Sequence, residues 1–400
     1  MKTDYKIGDR LDIDIQKIVP KGLGLAFAEK LTVFVPLSAA GDKVRIHINQ
    51  LKNKTAFAEI EEIIVPSSKR IEPPCQYFGK CGGCDFQQMN YEEQLAAKLG
   101  IIHDSLQRIG KINYEHEIPM FSSPKQFGYR SRAQWHLDIR QKKIGYFRRN
   151  SHDVIDIEHC PILTPELNAA LQSLRTNIDW ETFSNERASI EAANGGDGAV
   201  TLFSPEIIEP TEDISFSVNG EKYLYSALSF FQGNQFLIEQ LIETALNDAG
   251  GETALDLYCG VGLFTLPLAR KFGQVIGVEG NDRAIDFAEK NAENAQLDNV
   301  RFVRDGVDDF LSGHNLENTD FVLLDPPRAG TEKRTISNII ALKPKHISYV
   351  SCEPSILARD LRTFLDNGYV IESITAFDLF PQTHHVETVA RLSLMQKPDR

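Results

Sequence analysis

The stretch Ala254-Leu255-Asp256-Leu257-Tyr258-Cys259-Gly260-Val261-Gly262 decides the fold of this chain. Its first half is an apolar run of strand length, and its two glycines permit a tight turn into a helix that starts at about Phe264. The next apolar run, residues 274–278, ends in Glu279, nineteen residues after Gly260. An acid at that distance from a glycine turn can hold the two ribose hydroxyls of an adenosine. The pattern therefore predicts an α/β domain that binds a nucleoside.

The glycine turn differs from the G-x-G-x-x-G turn of dinucleotide-binding sites. S-adenosylmethionine contains adenosine but no pyrophosphate, so the shorter turn favours this methyl donor. Strand-like and helix-like runs continue to alternate downstream, which predicts a doubly wound, Rossmann-like sheet. Asp305 follows one such strand and could meet the adenine amino group or cap a helix. Gln232 precedes a helical run and could bond a ligand or serve the turn itself.

A cysteine lies where such a sheet places its chemistry. Ser351-Cys352-Glu353-Pro354 follows an apolar run that ends at Val350. Proline suits the first turn of a following helix, and open α/β sheets bind ligands at the carboxyl ends of their strands. A thiol there can add to an electron-poor carbon. The alternative is a cysteine packed as a small hydrophobe, but the surrounding motifs favour a nucleophile.

Residues 1–68 predict a small β-barrel. Short alternating segments separated by Gly and Pro are typical of a five-stranded antiparallel barrel. Barrels of this size often bind oligonucleotides, and many serve only as spacers. The predicted strands span residues 10–15, 23–28, 31–36, 44–48 and 56–60.

Four cysteines in the next region predict a metal centre. Cys75, Cys81 and Cys84 have the spacing Cys-x5-Cys-x2-Cys, and Cys160 precedes a proline. Three thiolates close in sequence and a fourth farther away can enclose a zinc ion or an iron–sulfur cluster. The spacing alone does not separate the two metals, and unpaired structural thiols are the remaining alternative.

The net charge of −13 hides a basic region between residues 125 and 149. This region contains eight basic residues and one acid, with aromatic residues interleaved. Basic and stacking groups together suit looped or single-stranded RNA, whereas a solvated charged face is an equal explanation of the charges alone. The residues are Lys125, Phe127, Tyr129, Arg130, Arg132, Trp135, Arg140, Lys142, Lys143, Tyr146, Phe147, Arg148 and Arg149.

Length and composition set the wider limits. A chain of 400 residues suggests two or three domains. We find no apolar leader region and no run of membrane-spanning length, so we expect a cytoplasmic protein without a membrane partner. A reducing cytoplasm argues for metal or catalytic roles of the six cysteines instead of disulfides.

Taken together, the motifs resemble those of the uracil-5 RNA methyltransferase family over nearly the whole chain. The matching segments are Phe230-Phe231-Gln232, Asp256-Leu257-Tyr258-Cys259-Gly260, Asp325-Pro326-Pro327-Arg328, Ser351-Cys352-Glu353-Pro354 and His385-Val386-Glu387. The N-terminal segment also resembles the TRAM domain, an OB-like RNA-binding barrel. A barrel combined with the cysteine set resembles the branch that modifies 23S ribosomal RNA, in which the metal centre is an iron–sulfur cluster.

The resemblance implies a class I methyltransferase fold and a set of roles. Cys352 would add to C6 of uracil, C5 would then take the methyl group, and Glu387 would remove the C5 proton; position alone favours a surface carboxylate for Glu387. Two departures from the family occur, at Leu263 and Glu353, where relatives carry Asn. The implied ligands are Gln232, Tyr258, Glu279, Asp305 and Asp325 for the donor, and Cys75, Cys81, Cys84 and Cys160 for a 4Fe–4S cluster.

We predict three domains: a TRAM-like barrel over residues 1–68, a central domain with the cluster and the basic region over 69–220, and the methyltransferase domain over 221–400. We expect a monomer that acts on 23S ribosomal RNA. The alternatives are a transfer-RNA uracil-5 methyltransferase with the same residues and a non-catalytic RNA-binding protein, which intact Cys352 and Glu387 disfavour. DNA cytosine methylation lacks its Pro-Cys pair, and His384 and His385 lack further ligands for a zinc site.

Overall fold

The computed structural model describes residues 5–206, 213–313, 316 and 318–395. The first strands form a curved six-stranded sheet in the order β1-β5-β6-β4-β3-β2 around its own apolar core. The strands β1 and β2 lie at opposite edges of that order but are joined by only two residues, so the sheet curls back on itself. These strands are β1 (Arg10–Asp14), β2 (Lys17–Val19), β3 (Leu23–Ala28), β4 (Leu31–Val35), β5 (Lys43–Lys52) and β6 (Thr55–Val65).

The expectation of five antiparallel strands was wrong in two respects. First, the sheet contains a sixth strand, β2, which is followed by a short 3₁₀ turn, Pro20–Gly22. Second, the strand β4 pairs with β6 in parallel, because the long β5–β6 hairpin returns the chain beside β4 in the direction of β4. Asn53 adopts a left-handed conformation with φ 56° at the tip of this hairpin, a conformation that Asn tolerates better than most residues.

The middle of the chain contributes a helix, a short strand and a five-stranded antiparallel sheet in the order β10-β9-β8-β11-β12. Asn90 caps the helix that begins at Tyr91 by accepting the Glu93 amide hydrogen at 2.9 Å, and Trp180–Thr182 is a 3₁₀ turn. The elements are α1 (Tyr91–Arg108), β7 (Met120–Phe121), β8 (Arg132–Asp138), β9 (Lys143–Phe147), β10 (Val154–Asp156), α2 (Pro165–Asn177), β11 (Arg187–Asn194) and β12 (Val200–Phe203).

Two aromatic residues of the basic region are buried and cannot stack on a base. Trp135 alternates with Ala133 and Leu137 on the inner face of β8 and is 0% exposed, and Tyr129 is 2% exposed. The guanidinium groups of Arg130 and Arg132 donate hydrogen bonds to backbone carbonyls. The expectation of free stacking and basic groups was therefore wrong for these four residues. The period of β8 turns Trp135 inward, and the two arginines are occupied by their hydrogen bonds.

The remaining elements begin with the hairpin β13 (Ile214–Val218) and β14 (Glu221–Tyr225) and the 3₁₀ turn Gln235–Leu237. The large α/β unit follows. It consists of α3 (Ile238–Leu246), β15 (Gly251–Leu257), α4 (Thr265–Ala269), β16 (Phe272–Glu279), α5 (Asp282–Asn294), β17 (Val300–Arg304), α6 (Val307–Gly313), β18 (Phe321–Leu324), α7 (Lys333–Leu342), β19 (His346–Ser351), α8 (Pro354–Asp366), β20 (Tyr369–Phe377) and β21 (Glu387–Leu394).

The large sheet has the order β17-β16-β15-β18-β19-β21-β20-β7. The strands from β17 to β19 are parallel, and β21 runs antiparallel between β19 and β20. Apolar clusters cover both faces, and the strand order reverses between β15 and β18, which is where such sheets bind ligands. The predicted doubly wound α/β fold is confirmed.

The N-terminal half is joined to this unit. The strand β7 extends the large sheet by pairing with β20, and α1 packs against α8.

No helix within the described ranges is long and apolar enough to cross a membrane.

Candidate active site

The two predicted catalytic residues lie at the same end of the large sheet. Cys352 directly follows β19, and Glu387 is the first residue of β21. Because β21 is antiparallel to β19, its first residue lies at the carboxyl end of β19. The register pairs Ser351 with Thr388, so the next positions along the two strands, Cys352 and Glu387, lie across from each other.

Glu387 is a buried carboxylate rather than a surface one. Its residue surface is 3% exposed, and its Oε1 atom has no hydrogen-bond partner among the described residues. Burial and the nearby charge of Asp325 raise the pKa of Glu387 well above its usual range, and the Arg328 guanidinium opposes this shift. An unpartnered buried oxygen is costly, which is typical of a group that meets a substrate.

The Cys352 thiol is partly exposed beside these charges. The pKa of Cys352 is raised to about 12. Burial is the largest cause, the charge of Glu387 is the second, and the charge of Asp325 makes a smaller contribution. Arg328 lowers this pKa through its charge and a hydrogen bond. The free protein therefore holds a thiol at neutral pH, and Arg328 is the group that favours the thiolate.

Glu353, which departs from the family pattern, caps helix α8. Its Oε1 atom accepts hydrogen bonds from the Ser355 amide at 3.4 Å and from the Ser355 hydroxyl at 2.5 Å. Pro354 occupies the first turn, as the sequence predicted. Glu353 thus performs the capping work that Asn also performs at helix starts, and the position of Cys352 before the cap is retained.

Two acids at the carboxyl ends of the neighbouring parallel strands β15 and β18 have a raised pKa. Burial raises the pKa of Asp325 to about 7. Burial likewise raises the pKa of Asp256 to about 7, although a hydrogen bond from the Thr265 hydroxyl at 2.5 Å opposes the shift. Clusters of perturbed groups of this kind mark functional sites.

Glu279 and Asp305 lie at the ends of neighbouring strands. The Glu279 carboxylate accepts the Gly260 amide hydrogen at 3.1 Å and the Asn281 amide hydrogen at 2.8 Å. Gly260 has φ +54°, and a Cβ atom there would meet open space, so the turn leaves room for a ligand beside Glu279. The Asp305 amide donates to the Glu279 carbonyl at 3.2 Å, which places both acids on one rim.

Tyr258 and Gln232 approach the same end of the sheet from different elements. Tyr258 adopts φ +66°, a strained conformation for a residue with a side chain. Its hydroxyl pairs with Thr331 Oγ1 at 2.8 Å, so only its ring and backbone are available to a ligand. Gln232 is 4% exposed, and its side-chain amide makes no hydrogen bond with the described residues.

The four predicted metal ligands line one cavity of about 390 Å³. None of them forms a disulfide. Burial, followed by the charge of Cys160, raises the pKa of Cys84, and burial raises the pKa of Cys160 to about 11. Two buried donors at this cavity, Tyr146 Oη and Arg149 Nε, lack hydrogen-bond acceptors within the described chain. Free thiols and orphaned donors fit a cluster that contains sulfide.

Within the part of the chain that the structure describes, no three His, Cys, Asp or Glu side chains are arranged to hold a metal ion. The structure therefore does not show the metal centre that the cysteine spacing predicts. His384 Nδ1 lies 2.6 Å from Asp85 Oδ2.

Arg328 is a site residue whose role the sequence analysis missed. It belongs to the quoted motif Asp325-Pro326-Pro327-Arg328, yet no role was assigned to it. Its guanidinium stacks over the Phe380 ring at 5.9 Å from the centroid. A cation in a strand-end motif beside a candidate thiol is the signal that could have identified it.

Residues 209–395 match the family model described as tRNA (Uracil-5-)-methyltransferase. A relative named 23S rRNA (uracil(1939)-C(5))-methyltransferase RlmD, from Aliivibrio fischeri, is 30% identical, with 94% of this chain and 95% of the relative covered. A protein named as an uncharacterized RNA methyltransferase from Nostoc sp. is 31% identical, with 99% of this chain and 98% of that protein covered.

One solved structure resembles the chain throughout. The Pyrococcus abyssi tRNA (uracil-54, C5)-methyltransferase in complex with S-adenosyl-L-homocysteine matches with a TM-score of 0.72 and 27% sequence identity. The match covers 96% of this chain and 100% of the Pyrococcus chain.

Proposed function

Since this chain belongs to the RNA uracil-5 methyltransferase family and is an S-adenosylmethionine-dependent enzyme, we propose that it methylates C5 of a uridine in 23S ribosomal RNA through a covalent Cys352 adduct. The observation that carries this proposal is the pairing of a partly exposed thiol with a buried carboxylate across β19 and β21. C5 of uracil is a poor nucleophile, so a thiolate must first add to the ring to activate it.

Cys352 Sγ forms a bond to C6, and the electron pair of the C5–C6 double bond moves toward O4. The Cys352 thiol loses its proton to solvent before this attack, and Arg328 stabilises the thiolate that results. The same thiolate forms again beside Arg328 when the C6–Sγ bond breaks. When bound, S-adenosylmethionine would supply the electrophilic methyl group to C5 and would leave as S-adenosylhomocysteine when its sulfur–methyl bond breaks. Glu387 then removes the C5 proton, the C6–Sγ bond breaks, and the double bond is restored.

Glu387 suits the proton transfer because of its burial. A carboxylate held in a dry site has a raised pKa, and its ionised form therefore accepts a proton from carbon more readily than a solvated carboxylate does. Its unpartnered Oε1 atom is free to receive that proton. A target base within a helix must first be flipped out to reach these groups.

The donor contacts in this proposal are those that the family resemblance implies. Glu279 holds the ribose hydroxyls and Asp305 meets the adenine. Asp325 lies beside the transferring methyl, Gln232 is a further donor contact, and Tyr258 contributes its ring or backbone. The open space beside Gly260 supports this arrangement, because an adenosine needs close approach to the turn.

Cys75, Cys81, Cys84 and Cys160 hold a 4Fe–4S cluster in the same proposal. The shared cavity and the donors Tyr146 and Arg149 support a cluster over zinc. The barrel of residues 1–68 is TRAM-like, residues 69–220 form the cluster domain with its RNA-binding surface, and residues 221–400 form the methyltransferase domain. The unpaired state of all six cysteines supports action in the reducing cytoplasm, where we expect a monomer.

Transfer RNA is the second candidate substrate, since the family model and the solved neighbour carry that name. The test uses radiolabelled S-adenosylmethionine with unmodified 23S ribosomal RNA and transfer RNA transcripts, followed by digestion and detection of 5-methyluridine. We expect label in ribosomal RNA alone. Label in transfer RNA alone would replace the substrate and retain the catalytic residues, and label in neither RNA would favour the non-catalytic RNA-binding alternative.

A further inference from the structure

Residues 378–387, which we call the catalytic segment, connect β20 to the catalytic Glu387. This segment is held from outside the large sheet. Lys98 on α1 is fully buried and bonds Asp378 at 2.5 Å and the Phe380 carbonyl at 2.9 Å. The Tyr129 hydroxyl donates to the Pro381 carbonyl at 2.9 Å.

Gln382 is the most heavily bonded member of the segment. It adopts φ +69°, and its amide and side chain exchange hydrogen bonds with the Gln94 side chain at 3.0 and 3.1 Å. Its carbonyl accepts the amide hydrogens of Asp85 and Phe86, both at 3.0 Å. Such a left-handed conformation persists only where the surroundings enforce it.

His384 is held by the loop of residues 75–86, which carries Cys75, Cys81 and Cys84 and which we call the cysteine loop. Asp85 Oδ2 lies 2.6 Å from His384 Nδ1, and Asp85 Oδ1 accepts from Arg149 at 2.8 Å. Arg149 also donates to the Cys84 carbonyl at 2.9 Å. On the other side, a Cβ atom on Gly22 of the barrel would lie 2.8 Å from His384 Cβ, so the barrel is in close contact there.

We propose that Asp85 is a positioning residue for Glu387. Its carboxylate holds His384 and its backbone amide holds Gln382, so the folded cysteine loop fixes the position of the catalytic base. This inference rests on the proposed function. His384 precedes Glu387 by only three residues, so a displacement at His384 has little chain over which to relax. Misplacing a catalytic group by about 1 Å can cost about a hundredfold in rate.

The inference gives the cysteine loop a role beyond RNA binding. A loop that served only the RNA surface would change KM for RNA when altered. A loop that positions Glu387 changes the step that Glu387 performs, the removal of the C5 proton. When that step slows, the methylated adduct cannot eliminate Cys352, and covalent protein–RNA complex accumulates on ordinary uridine RNA.

The experiment compares Asp85→Ala with Asp156→Ala. Asp156 is a matched control, since this last residue of β10 forms an ion pair with Arg175 of α2 and, among the described residues, no hydrogen bond or ion pair joins it to the catalytic segment. We expect Asp85→Ala to lower kcat about tenfold to a hundredfold, with KM for RNA and the Kd for S-adenosylhomocysteine within about threefold of the parent. It should also accumulate the adduct in denaturing gels, whereas Asp156→Ala should not.

The variant Glu387→Gln distinguishes a failure of the base assignment from a failure of the positioning role. If Glu387→Gln fails to accumulate adduct, the proposed base is wrong. If Glu387→Gln accumulates adduct and Asp85→Ala does not, the positioning role is wrong and the base assignment stands.

A double-mutant cycle covers the case in which Asp85→Ala loses iron or folds poorly. His384→Ala breaks the same contact without altering the cysteine loop. We expect the iron content of His384→Ala to be unchanged, adduct to accumulate, and the Asp85→Ala/His384→Ala double variant to be no slower than the slower single variant. Additive losses of kcat, or no adduct with His384→Ala, would overturn the inference.

Discussion

Cys352 and Glu387 lie across from each other at the ends of the antiparallel strands β19 and β21. The antiparallel direction of β21 produces this pairing: a parallel strand would place its first residue at the opposite edge of the sheet. Burial leaves Glu387 with an unpartnered oxygen beside a thiol. One strand direction thus brings together the proposed nucleophile and the proposed base, which are 35 residues apart in sequence.

The first prediction concerns the pH dependence of the Cys352 thiol. Because the pKa of Cys352 is raised to about 12, the reactive thiolate fraction of the free protein should increase about tenfold per pH unit up to at least pH 9.5. The measurement is the iodoacetamide alkylation rate of the Cys352 peptide, followed by mass spectrometry. Arg328→Gln should slow alkylation at each pH, since the guanidinium favours the thiolate. A plateau near pH 8 would contradict the raised pKa.

The second prediction concerns the cysteine cavity. The anaerobically purified protein should show broad visible absorption near about 400 nm and contain iron, and Cys84→Ser should lose both. Cys259→Ser is the matched control, because Cys259 is a buried thiol outside the cavity and its iron content should be unchanged. Stoichiometric zinc in the parent protein, without iron, would refute the cluster.

The third prediction concerns the methyl donor. Glu279→Ala should weaken S-adenosylhomocysteine binding about tenfold or more in calorimetry, because the ribose hydroxyls lose a charged acceptor. Glu289→Ala removes an exposed carboxylate from the following helix α5 and should leave the Kd within about twofold. Equal Kd values for the two variants would remove Glu279 from the donor site.

The fourth prediction concerns the buried ion pair beneath the catalytic segment. Lys98→Met leaves Asp378 buried without its cation, and the free energy of unfolding should fall by about 3–5 kcal/mol. Arg140→Ala breaks an ion pair with Glu186 in which both side chains are exposed, and should cost less than about 1 kcal/mol. Urea unfolding measures both values. A Lys98→Met cost as small as that of Arg140→Ala would show that the pair does not stabilise the fold.

Local patterns were sufficient for the large sheet and its strand ends. The glycine turn at Gly260 and the strands that lead into Asp305, Asp325 and Cys352 are set by neighbouring residues, and the doubly wound fold follows from their alternation. The shared cavity of the four cysteines agrees with their grouping by spacing, since three of them lie close together in sequence.

Contacts between distant segments were beyond the reach of sequence patterns. The parallel pairing of β4 with β6 depends on how a hairpin folds back, and Asp85 meets His384 across 299 residues. Neither contact leaves a periodic signal. The burial of Trp135, in contrast, was predictable from the alternation of Ala133, Trp135 and Leu137, which the charge of the region obscured.

The most direct test of the central claim uses RNA that contains 5-fluorouridine at the target position. Fluorine at C5 cannot leave as a proton, so the methylated adduct cannot eliminate the enzyme. We expect a stable protein–RNA complex that forms only with S-adenosylmethionine and tryptic mass spectra that place the methylated nucleotide on Cys352. Cys352→Ala should bind the same RNA without forming the complex. An adduct on another residue, or methylation by Cys352→Ala, would contradict the account.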